Sequence, residues 1–81
     1  IVGLSDAVEL NPNHFMARNA RGFCYMMLRD YKSALADFEA AIQVNPRYAN
    51  AYMNRSAARR ATGDTAGAEA DQAMVKELTG K

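Results

Sequence analysis

Residues 11–46 read NPNHFMARNARGFCYMMLRDYKSALADFEAAIQVNP. The stretch opens on Asn11-Pro12 and closes on Asn45-Pro46, the same dipeptide 34 residues later, and that distance is a repeat period. Between the two prolines apolar residues recur at helical spacing, and the pattern breaks once, near Arg29-Asp30. One break followed by a proline stop reads as two antiparallel helices joined by a short turn.

Displaced against itself by 34 residues, the sequence sets Ala17 on Ala51, Arg21 on Arg55, Asp30 on Asp64, Ala34 on Ala68, Ala36 on Ala70 and Asp37 on Asp71. The same shift sets Ala7 on Ala41, Val8 on Ile42 and Leu10 on Val44. The last unit ends in Thr79-Gly80 where the others carry Asn-Pro, so the chain holds about two and a third units. Five helices are predicted, one ending about residue 10 and the others over residues 15–28, 31–44, 49–62 and 65–78, with no strand signal. Asp30 and Asp64 stand where an N-cap is needed to accept from the free amides of the next helix. Gly63 supplies a permissive turn residue, and Pro12 and Pro46 block continuation just past helix ends.

The middle unit carries Gly22, Tyr25, Ala34, Phe38, Ala41 and Pro46 at the spacing of the tetratricopeptide signature, which puts small residues where helices touch and large ones where they leave a gap. The chain therefore resembles the tetratricopeptide repeat family over essentially its whole length. The resemblance implies an all-α fold, a right-handed α-solenoid of antiparallel helix pairs. Its 81 residues form a single domain in which 1–12 are the second helix of a truncated repeat, 15–48 a complete repeat and 49–81 the last one. The third unit departs from the signature, with Ser56 for the glycine, Arg59 for the tyrosine and Gln72 for the phenylalanine. Gln72 and Lys76 take the places of Phe38 and Ile42 on the face that would meet a further repeat, and polar residues there read as a cap on the stack. The opening segment, starting on Ile1, looks like the end of a hairpin whose first half is missing. The expectation is a C-terminal fragment of a longer array. Leu4, Ala7 and Val8 give that first helix an apolar edge, to be covered by upstream repeats or by a second copy in a homodimer.

Composition narrows the work such a chain does. Charged residues make up 23% and nearly balance at a formal +1, so no global field recruits nucleic acid or an anionic membrane. No basic stripe interleaved with aromatics and no apolar run of membrane-spanning length is present. The lone Cys24 excludes an internal disulfide and offers no metal cluster; it favours a reducing compartment, the cytoplasm, and reads as a buried thiol. His14 reads as a surface residue after a proline turn, and Ser33 as part of a first-turn cap. Without phosphate loops or paired carboxylates, the sequence points to no enzyme, no cofactor and no metal.

Two groups of residues are singled out. Arg21 and Asp37, and again Arg55 and Asp71, are separated by sixteen residues, a spacing that lets them face each other across a hairpin as structural ion pairs. At helical spacing, Met16, Asn19, Ala20, Phe23, Met26 and Met27 share one face, and Asn50, Met53, Asn54, Ala57, Arg60 and Ala61 the corresponding face one repeat later. The resemblance makes these faces the concave surface of the array. The expected function is then a protein-protein interaction module that holds a peptide or helix of a partner. Met16, Phe23, Met27 and Met53 would supply apolar contact, and Asn19, Asn50 and Asn54 hydrogen bonds. Alternatively, Met26 and Met27 fill the core between hairpins. One subtype of the family grips a terminal carboxylate with Lys, Asn and Arg; here only Asn54 matches, and an amide without cations does not offset the desolvation of a carboxylate. Arg59 and Arg60 read as solvated or as covering apolar surface with their stems. The rival functions are a self-associating structural spacer and an accessory segment of a larger enzyme.

Overall fold

The computed structural model describes residues 15–80, and these form four helices: α1, Phe15–Met27; α2, Tyr31–Val44; α3, Ala49–Ala61; and α4, Thr65–Thr79. The expected count of five is corrected to four among the described residues. The segment read as a first helix lies outside them, as do Leu4, Val8, Pro12 and His14. α1 with α2 and α3 with α4 make two antiparallel hairpins, α2 packs on α3, and α1 touches α3.

Each hairpin turn rests on one residue with left-handed backbone. After α1 it is Arg29, φ 64°, and after α3 it is Gly63, φ 91°. The N–H of Asp30 bonds the Tyr25 carbonyl at 2.9 Å and that of Arg29 the Met26 carbonyl at 3.0 Å; Asp64 and Gly63 bond Arg59 and Arg60 in the same way. This pairing satisfies the last carbonyls of the helix and reverses the chain. The two aspartates then start the next helix, Asp30 Oδ1 accepting from the Ser33 N–H at 3.3 Å and Asp64 Oδ1 from the Gly67 N–H at 3.0 Å. So two residues per turn end one helix and begin another. α1 and α3 each stop one residue short of the expected end because this hydrogen-bonded reversal begins there.

Between hairpins the chain turns through Asn45-Pro46. Asn45 Oδ1 accepts from the Arg47 N–H at 3.2 Å, and Tyr52 reaches back from α3 to donate its hydroxyl to the Pro46 carbonyl at 2.8 Å. Phe15 and Tyr48 meet edge to face with ring centroids 4.9 Å apart, tying the start of α1 to the residue before α3.

The core is thin, as an 81-residue chain requires. Its centre is Phe38, fully buried with Ala34 and Ala58, and Tyr25, Met26, Tyr31 and Leu35 close around it. Phe38 thus bridges the hairpins, and its truncation to alanine would cost about 3–5 kcal/mol. α1 lies so close to Phe38 that a Cβ on Gly22 would fall 2.6 Å from its ring. In the second hairpin Ser56 takes that place; it is fully buried and its hydroxyl donates to the Ala68 carbonyl at 3.0 Å. Gln72, where Phe38 would be, is exposed, which leaves room for the serine.

Candidate functional site

The inner helices α1 and α3 are held from behind by two bidentate ion pairs. Arg21 donates to Asp37 at 2.8 and 2.7 Å, and Arg55 to Asp71 at 3.0 and 2.7 Å. Both carboxylates are buried while the guanidinium groups keep some solvent, an arrangement suited to planar two-point bonding. Each arginine also lies near a ring, Arg21 5.9 Å from the Tyr25 centroid and Arg55 5.5 Å from that of Tyr52. The hydrogen bonds that Arg55 donates to Asp71 raise its pKa, against the opposing effect of burial. Asp71 carries a third bond that the sequence reading missed. Arg59 donates to it at 3.2 Å and to the Gly67 carbonyl at 3.3 Å, so this guanidinium is fixed inside the hairpin rather than merely solvated. Its position one turn beyond Arg55 was the available signal.

On the opposite side of α1 the exposed large apolar residues lie in a row. Met16 is 55% exposed, Phe23 45% and Met27 70%, at positions that share a helix face. Met26 and Met27, taken together in the sequence, part ways, since Met26 packs on the core cluster while Met27 stands in solvent. On α3, Asn50 and Met53 are exposed. Asn19 is buried at the seam of the inner helices, where its Oδ1 accepts from Asn54 Nδ2 at 3.0 Å across the two hairpins. The seven residues singled out for peptide contact therefore fall into an apolar row on α1, an amide pair between α1 and α3, and Asn50 with Met53 beyond it.

Met53 also lines an open cleft of about 640 Å³ with Gln72, Val75, Lys76 and Thr79 of α4. Shifted back one repeat these positions are Asn19, Phe38, Ala41, Ile42 and Asn45, of which Asn19, Phe38 and Ala41 are buried against their surroundings. The cleft is thus the second hairpin's counterpart of the surface that α3 covers in the first. Cys24 is half-buried rather than fully enclosed. No group of three His, Cys, Asp or Glu side chains that could hold a metal is found among the described residues, and none of their helices is long and apolar enough to cross a membrane.

Two hairpins stacked through a shared aromatic, with small residues at the crossings and one conserved register, define a helical-hairpin repeat scaffold. The tetratricopeptide repeat family profile matches residues 16–48, and that segment is a tetratricopeptide repeat. It is 35% identical over 71 residues to RNA polymerase II-associated protein 3 of Xenopus tropicalis, covering 88% of this chain and 11% of that protein. It is 32% identical over 74 residues to human serine/threonine-protein phosphatase 5, covering 91% of this chain and 15% of the phosphatase. Over 51 residues it is 47% identical to human tetratricopeptide repeat protein 36, covering 63% of this chain and 27% of that protein. The chain spans between about a tenth and a quarter of the length of these relatives. The tetratricopeptide repeat is in general a scaffold for protein-protein contact.

Proposed function

We propose that the inner face of α1 and α3 binds a peptide or helix of a partner protein, with Phe23, Met16, Met27 and Met53 as apolar contacts and Asn19, Asn50 and Asn54 as the polar ones. The observation that carries this is the exposure of Met16, Phe23 and Met27 in one row, on a helix whose other side is buried and pinned by Arg21 to Asp37. An apolar row on a rigid helix is a prepared surface, because its residues need no rearrangement to accept a ligand. Methionines adapt to differently shaped side chains, and Phe23 gives a less flexible anchor between them.

The test is a panning of phage-displayed peptides against the 81-residue chain, with rebinding to Phe23→Asp after circular dichroism has shown equal helicity. Recovered peptides are expected to bind the native chain and to lose at least tenfold in affinity for the variant, since a buried contact is replaced by a desolvated charge. Unchanged binding to the variant would place the contact elsewhere.

A further inference from the structure

α4 turns Ala68 and Asp71 inward and presents an outer face on which Glu69, Ala73 and Lys76 are exposed. Glu69 and Lys76 stand seven residues apart, two turns along that face. Within a helix a charge is neutralised by a residue three or four places away. For Glu69 those places hold Thr65, Ala66, Gln72 and Ala73, and for Lys76 they hold Gln72, Ala73, Thr79 and Gly80, none of them charged. Neither side chain has an ion pair or hydrogen bond elsewhere among the described residues. Two opposite charges are therefore held unpaired on one face, beside the open cleft that Lys76 lines with Met53, Ala73 and Val75.

We propose that this cleft is filled by α4 of a second copy of the chain, the two helices running antiparallel about a two-fold axis between Gln72 and Ala73. A two-fold interface uses one patch twice, so the patch must complement itself. In this register Glu69 of each copy faces Lys76 of the other, and one surface yields two ion pairs. The same register lays the first half of one α4 along the cleft of the other. Val75 is set against Ala70 of the second copy and Thr79 against Ala66, so the half-buried valine and the hydroxyl meet exposed residues that carry only a methyl. Short side chains let the helix backbones approach closely enough for the cleft to be filled. An axis moved onto Ala73 would instead oppose Glu69 to Glu77, and charge thereby selects the register. None of these α4 residues belongs to the inner-face reading, and the proposal does not rest on it.

The test is sedimentation equilibrium of the 81-residue chain up to about 1 mM, the range in which a small, weak interface is populated. The native chain is expected to dimerise, and more weakly at high salt. Glu69→Lys and Lys76→Glu each turn two attractive pairs into two repulsive ones, and each should weaken the dimer about tenfold or more. Mixed in equal amounts, these two variants should associate with each other, because every lysine again meets a glutamate. The chain carrying both reversals should regain the native dimer. Both positions are exposed, and circular dichroism checks that helicity is kept. On the native chain, carbodiimide coupling should give a dimer in which mass spectrometry finds Glu69 joined to Lys76, a readout that needs no variant. A native chain monomeric throughout, a dimer that either single reversal leaves within twofold, or a mixture of the two variants that stays monomeric overturns the proposal.

Discussion

Gly22→Ala is expected to destabilise the fold, although it exchanges the poorest ordinary helix former for the best. In an open helix the exchange would gain about 1 kcal/mol. Here the new methyl would sit 2.6 Å from Cε1 and 2.9 Å from Cδ1 of Phe38, with the Ala34 carbonyl oxygen at 3.1 Å. Phe38 is fully buried between the hairpins and has nowhere to turn, and the carbonyl belongs to the α2 backbone. Relief must come from α1 moving away from α2, which strains the Arg21 to Asp37 bonds as well. Overpacking of this kind costs about 1–3 kcal/mol, and contacts this short place the cost at the upper end. The net loss is then about 1–2 kcal/mol, or a fall in Tm of about 5–15 °C for a chain of this size. Thermal and urea unfolding followed by circular dichroism at 222 nm would measure it. In a Phe38→Leu background the same substitution should be nearly harmless, giving a coupling of about 1 kcal/mol or more. A rise in Tm for Gly22→Ala would mean that propensity outweighs contact and would refute the account of why glycine stands there.

Three further outcomes follow from the turns and the ion pairs. Asp71→Asn should cost about 1 kcal/mol more than Asp37→Asn in urea unfolding, because Asp71 accepts from both Arg55 and Arg59 whereas Asp37 accepts from Arg21. Equal losses would show that Arg59 adds nothing. The raised pKa of Arg55 contributes stability at every pH below its unfolded value and loses it only as pH climbs through the folded one, so no change from this group is expected over roughly pH 5–9. Arg29→Gly should stabilise by about 0.5–1 kcal/mol, since Arg29 is exposed and holds φ 64°, a conformation that carries a steric cost for any side chain. A lower Tm for that variant would mean that the arginine side chain contributes more than its backbone costs.

Much of the architecture was legible because it depends on spacing. The 34-residue register placed Asp30 and Asp64 at helix starts, and a separation of sixteen residues brought each arginine opposite its aspartate. Helix period also put Met16, Phe23 and Met27 on one side of α1. What spacing could not supply is the distance between helices. Whether Met26 or Met27 enters the core depends on how closely α3 approaches α1, and the sequence leaves the two equivalent. Likewise Asn19 and Asn54, 35 residues apart, meet only because the hairpins stack with their inner helices in contact. Arg29 could not be recognised as a left-handed residue from its type, since position alone, opposite Gly63 in the next repeat, carries that information.

The third unit's departures from the signature make sense as a set. Phe38 demands a glycine at position 22, because the ring occupies the space a side chain would need. Once Gln72 stands in the ring's place and points to solvent, Ser56 fits, and its buried hydroxyl is satisfied by the Ala68 carbonyl. Arg59, where Tyr25 closes the core of the first hairpin, instead bonds Asp71 and the Gly67 carbonyl. The second hairpin thus exchanges an apolar bridge for polar bonds within itself. Such bonds hold α3 to α4 without a neighbour, whereas the Phe38 arrangement is complete only when a following helix supplies Ala58. The two hairpins therefore divide the labour of a repeat scaffold. In the first the bridge runs to the neighbouring hairpin and in the second the bonds stay within the hairpin, and both leave apolar side chains exposed on α1 and α3, Phe23 and Met53 among them.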